Sequence, residues 1–217
     1  MRKIFVLSFS ILITSVLFGQ SGTLKYKIDF LTADPEMAEV QSMLAGSTME
    51  LYFNENHTST IMRLGTLSTT ITIVNLETKK SLTIVESMMG NFFGFSNLAD
   101  ESLEPPASNL RVQLTEETRV IAGIECKKAL LFDSEGNEFA VWYSPILNFP
   151  ILSRFDIGQH SSIPGAMVEF EMKQEKFIMR FTLASFSDKI ENANVFVMAA
   201  PVGFVEMSAE FLQSFGF

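Results

Sequence analysis

The chain has 217 residues, with 16 Lys and Arg against 25 Asp and Glu, a formal net charge of −9 and a pI near 4.8. Nucleic-acid backbones and anionic membrane surfaces are both held by clustered Lys and Arg, so this balance argues against either as a partner. The single cysteine, Cys126, excludes an intramolecular disulfide. The fold must rest on its core, and a 47% apolar composition in a chain of one-domain length can supply one.

Residues 1–20 carry the parts of a secretory signal peptide. Arg2 and Lys3 form a positive start, Ile4 to Phe18 an uncharged apolar run, and Gly19–Gln20–Ser21–Gly22 a small, polar exit. A spanning helix needs about 20 apolar residues, more than this run offers. Cleavage is expected at Gln20/Ser21. No cysteine near the junction could carry a lipid anchor. Removing Arg2 and Lys3 takes the net charge from −9 to −11. Residues 21–217 are then expected to form a single mostly-β domain, periplasmic or secreted, without stable membrane insertion.

Residues 23–31 alternate Leu24, Tyr26, Ile28 and Phe30 against Lys25, Lys27 and Asp29, the period-two pattern of a half-buried strand. Asp34–Pro35–Glu36 reads as a helix start, and Met37, Val40 and Leu44 follow at helical spacing with Met43 beside them. The expected helix runs from Pro35 to Ala45 and ends at Gly46. Strands are expected at 48–54, 58–64, 67–75 and 81–87, joined by polar turns such as Asn54–Glu55–Asn56. Residues 88–109 break the pattern. Met88, Met89, Phe92, Phe93 and Phe95 sit among glycines and asparagines, and Asp100, Glu101 and Glu104 precede Pro105–Pro106. This stretch reads as a long loop, apolar first and acidic after.

Strands return at 111–118, 124–132 and 138–143, with a hairpin turn at Ser134–Glu135–Gly136–Asn137. Residues 144–165, rich in Pro and Gly, read as irregular connection. A second long hairpin is expected over 166–174 and 176–187, a last strand at 195–198, and a short terminal helix over 207–215. The aromatic ending Phe211, Phe215 and Phe217 has the parity of a terminal outer-membrane barrel strand, but one Trp and three Tyr make poor interfacial girdles.

The stretch Ala122–Gly123–Ile124–Glu125–Cys126–Lys127–Lys128–Ala129, followed by an acidic turn and Val141–Trp142–Tyr143–Ser144–Pro145, resembles exported bacterial domains of unknown function. It is similar to the GLPGLI family. Ser162–Ile163–Pro164–Gly165–Ala166–Met167 keeps the Pro-Gly and the apolar flanks of that family's signature. Such domains resemble the LolA/LppX type of fold. The resemblance implies a half-barrel, a curved antiparallel sheet around helices, in a Gram-negative bacterium, and it carries over no catalytic residues. Patterning and resemblance together give an α+β, mostly β fold: one curved antiparallel sheet of about 8–11 strands with one or two packed helices.

No nucleophile elbow, phosphate-binding loop, dinucleotide fingerprint or zinc-ligand spacing occurs, so no cofactor, metal or catalytic group is expected. His57 and His160 read as surface residues, and Cys126 as a buried small apolar one. Glu116–Glu117 reads as a solvated turn and Glu169/Glu171 as one polar strand face, rather than as acid/base pairs. Twenty-one Phe and twelve Met bring large apolar area with few polar tips, and Met adapts its shape. Binding of a lipid or other apolar ligand is therefore the leading expectation, through Met37, Val40, Met43, Leu44, Met88, Met89, Phe92, Phe93 and Phe95. The alternative is a structural or interaction protein that docks a partner through its apolar 88–98 segment.

Overall fold

In a computed structural model, the residues described are 21–32, 34, 37–98, 111–133, 136–149, 163–173, 177–208 and 211–212. The signal segment, Pro35, Glu36, the acidic stretch before Pro105–Pro106, Ser134–Glu135 of the expected hairpin turn, and His160 lie outside them. The strands are β1 (Gly22–Leu31), β2 (Thr48–Phe53), β3 (His57–Leu64), β4 (Ser68–Asn75), β5 (Lys80–Ser87), β6 (Gly90–Asn97), β7 (Arg111–Ile121), β8 (Ile124–Phe132), β9 (Glu138–Ser144), β10 (Ala166–Lys173), β11 (Ile178–Ser187) and β12 (Val205–Glu206). One helix, α1 (Ala38–Met43), and one 3-10 turn, Ala193–Phe196, complete the described elements.

All twelve strands form one curved, unclosed sheet in the order β12-β6-β5-β4-β3-β2-β1-β11-β10-β9-β8-β7. Every neighbouring pair is antiparallel except β12 on β6. The fold is mostly β, as the sequence pattern implies. β1 joins the two halves, pairing with β2 on one side and β11 on the other. Hairpin chemistry fixes the register. Asn54 Oδ1 accepts from the N–H groups of Asn56 and His57, and Asp133 Oδ1 accepts from Asn137 N–H.

Directly paired residues share a sheet face, so the register sorts the side chains. Leu24, Tyr26, Ile28 and Phe30 of β1 lie with Met49, Leu51 and Phe53 of β2, with Met179, Phe181 and Leu183 of β11, and with Phe170 of β10. This core face holds the main apolar cluster, to which Leu44, Leu147, Phe149 and Ile163 also belong. Phe170 stacks on Phe181 at 4.7 Å, and Phe53 meets Phe149 at 4.6 Å between ring centres. The buried Tyr26 hydroxyl donates to the Met167 carbonyl at 2.8 Å, and burial pushes its pKa up.

Four expectations are corrected. The helix is six residues, Ala38–Met43, not Pro35 to Ala45. Met37 stands at its N-cap without a side-chain cap bond, which is poor start chemistry for a longer helix. Residues 90–97 of the expected long loop are strand β6. Both faces of β6 carry apolar or small residues, so the period-two contrast of a half-exposed strand is missing from its sequence. The expected strand at 195–198 begins instead as the 3-10 turn, with Asn192 Oδ1 accepting from Asn194 N–H. The strand count is twelve because β6 and the two-residue β12 join the sheet. Of the expected terminal helix, residues 211–212 are helical and most of the remainder lies outside the described residues.

Candidate functional site

The core face changes character across the sheet. On β3 it presents Thr58, Thr60, Met62 and Leu64, and on β4 Ser68, Thr70, Thr72 and Val74. On β5 it presents Ser81, Thr83, Val85 and Ser87, and on β6 Gly90, Phe92, Gly94 and Ser96. Three rungs run across the strands: Thr58–Val74–Ser81–Ser96, Thr60–Thr72–Thr83–Gly94 and Met62–Thr70–Val85–Phe92. Thr60, Met62, Thr70, Thr72, Val74 and Thr83 are half-buried. The Ser81 and Ser96 hydroxyls hydrogen-bond each other.

Along β1–β6 and β9–β11 this face carries no charged side chain; β8 adds Lys127, opposite Tyr143. The charges lie on the opposite face. There Glu50 accepts from the Tyr52 hydroxyl at 2.8 Å and lies 3.6 Å from Lys25 and 3.5 Å from Arg63. Burial alone would raise the Glu50 carboxyl, but Tyr52, Lys25 and Arg63 outweigh it and hold it below the ordinary value. Burial and the same Glu50 push Tyr52 up to about 12. Glu171 accepts from Arg180 at 2.7 Å, Glu169 pairs with Arg119, and Glu117 with Lys128 at 3.1 Å. Arg119 also lies over the Trp142 ring at 4.5 Å. Three of the four carboxylates singled out as pairs in the sequence are thus held by cations.

On β4–β6 the opposite face is apolar as well. Ile73, Leu82, Ile84 and Phe93 form a second buried cluster, joined by Ile71, Met198 and Phe204. Residues 192–208, with 211–212, strap this end of the sheet. Its 3-10 turn brings Phe196 within 5.7 Å of the His57 ring, and β12 runs beside β6. Met207 N–H donates to the Phe93 carbonyl at 2.8 Å. Beyond β12 the strap reaches the core face. Phe211 meets Phe92 edge-on at 5.9 Å, and the buried Leu212 lies over Gly94. A Cβ on Gly94 would sit 2.5 Å from both Leu212 Cδ1 and the Met207 carbonyl oxygen, so only glycine lets the strap cross this close.

No family model matches the chain, and no curated protein matches it.

The nine residues expected to bind ligand separate into distinct places. Leu44 is buried in the main cluster, and Val40 packs against it. Met43 is exposed, and Met37 is half-buried. The Met43 carbonyl accepts from Thr66 N–H at 3.0 Å, so the end of α1 is tied to the β3–β4 turn. Gly65 in that turn has φ +51, and a Cβ there would lie 1.8 Å from the Met43 carbonyl oxygen. Met88 and Met89 are 80% and 73% exposed at the tip of the β5–β6 hairpin. Met88 and Gly65 line a surface cleft of about 340 Å³ with Leu67, Glu86 and Asn91. Phe93 is buried in the second cluster, and Phe95, 44% exposed, lines a cleft of about 590 Å³ with Lys80 and Met198. Phe92 alone faces the hydroxyl-bearing side. Thr60, Thr70, Thr72 and Thr83 escaped the sequence reading because threonine in a strand reads as β propensity. The available signal was that neither parity of 58–62, 68–74 or 81–85 carries a charge.

Proposed function

We propose that the chain is an exported, non-catalytic domain that binds a lipid or other apolar ligand on the core face of β3–β6. One observation carries this reading. The uncharged face continues from the Leu/Phe cluster of β1, β2 and β11 into a half-buried field of Thr60, Thr70, Thr72, Thr83, Met62 and Val74. Binding sites for small ligands join apolar lining to a few polar groups that orient the ligand. The packed half supplies a rigid floor, and the threonines supply methyl surface with hydroxyls at regular spacing. The two surface clefts fit an apolar ligand less well, since Glu86 stands on the rim of one and Lys80 on the other. The exported part of the reading rests on residues 1–20 and on the likeness of 120–170 to GLPGLI-type domains.

Native mass spectrometry after gentle purification tests the reading. A co-purifying lipid, or a mass shift on adding one, is expected. A bare chain that takes up neither long-chain alcohols nor acids nor phospholipid overturns it. A partner docking through 88–98 finds support in the exposed Met88, Met89, Phe95 and Leu98, while Phe93 is committed to the second cluster.

A further inference from the structure

We infer that the ligand held on this face is electrically neutral, a long-chain alcohol, ester or similar lipid rather than a fatty-acid or phosphate anion. The inference rests on the proposed binding face and narrows what that face accepts. A carboxylate or phosphate leaving water needs a cation or a set of strong donors to offset its lost hydration. On β3–β6 the core face offers the half-buried Thr60, Thr70, Thr72 and Thr83, with Met62 and Val74 between them and the buried Thr58 and Val85 beneath, and no Lys, Arg or His.

The cations of the same strands point the other way. His57, Arg63 and Lys80 share the opposite face, where Arg63 pairs with Glu50 and His57 is bonded by Asn75 at 3.0 Å. A net charge of −9 adds a repulsive background for any anion. Hydroxyls suit a neutral head. Each can donate to a carbonyl or ester oxygen and accept from an alcohol, so an uncharged polar group keeps its hydrogen bonds without a counter-ion. Methyl groups of the same threonines, with Met62 and Val74, meet the chain.

The test compares three ligands of one chain length at pH 8, dodecanol, methyl dodecanoate and dodecanoate, by displacement of a bound fluorescent probe. The alcohol and the ester are expected to bind at least tenfold more tightly than the acid. Thr72→Lys places a cation on the face and should reverse the order. Thr72→Val keeps the face uncharged and should weaken the alcohol several-fold more than the ester, which covers the case in which the lysine variant does not fold. Equal binding of all three, or tighter binding of dodecanoate, overturns this inference and leaves the binding face standing. Binding of none overturns the binding face itself.

Discussion

The two halves of the sheet solve the same packing problem in opposite ways. Around β1, β2, β10 and β11 the core face is Leu, Phe, Met and Tyr, and the other face is Lys, Asp, Glu and Arg. Around β4–β6 the assignment is reversed in part. The second cluster of Ile73, Leu82, Ile84 and Phe93 lies on the side that is charged elsewhere, under Met198 and Phe204. The core face is left to Thr, Ser, Val and Gly, with Phe92 under Phe211 at its edge. A sheet that buried only one face would need no such inversion. The first half stores stability in a packed interior. The second half keeps its stability on the back, which frees the front to present threonines.

This contrast was unevenly legible. β1 could be read directly, because Leu24, Tyr26, Ile28 and Phe30 alternate with charged residues that meet water. β6 could not, because Phe92 and Phe93 both find apolar neighbours on opposite sides. The short α1 was overread, since the spacing of Met37, Val40 and Leu44 carries no information about capping. The strap was invisible as such. Its residues fall into place only through contacts distant in sequence, such as Phe196 on His57 and Leu212 over Gly94. The binding face was legible only in Phe92; its threonines carry no helical or alternating hydrophobic signal.

The largest effect should come from the packed half. Phe53, fully buried against Phe149, is expected to cost about 3–5 kcal/mol when changed to Ala, measured by urea denaturation. Thr72→Val on the other half should move stability by no more than about 0.5 kcal/mol in the same assay. A comparable loss at both positions would erase the contrast.

Gly94→Ala attacks the strap. The added Cβ must push on the Met207 carbonyl as well as on a side chain, so a loss of about 1–3 kcal/mol is expected. Hydrogen exchange should quicken first at 205–208 while β1 and β11 keep their protection. Uniform loss of protection would mean that the strap and the core unfold as one unit.

Ser59 sharpens the account from the other side. It lies on the face of the second cluster, opposite Ile73, fully buried, and its hydroxyl has no hydrogen-bond partner among the described residues. Removing an unsatisfied buried hydroxyl relieves its desolvation cost, so Ser59→Ala should be neutral or stabilise by up to about 1 kcal/mol. A clear destabilisation would contradict the packing described for the back of β3–β4.

The smallest effect is electrostatic. Glu50 has its folded pKa held below its ordinary value of 4.5, so its contribution is present above that value and is lost as pH falls through the folded pKa. Arg63 and Lys25 are about half exposed, and solvent screening limits the gain to about 0.5 kcal/mol. Glu50→Gln should therefore be slightly less stable than the parent at pH 7, with the gap closing as pH falls below 4.5. A gap that widens with acid would reverse the sign.

The most direct test of the central claim is methyl-resolved NMR of the chain titrated with dodecanol. The threonine methyls of Thr60, Thr70, Thr72 and Thr83 and the Met62 methyl are expected to shift together, while Met88, Met89 and Met198 stay in place. Shifts confined to Met88 and Met89, or to Met198 beside Phe95, would put the ligand in a surface cleft and contradict the division of the sheet into a packed half and a binding half.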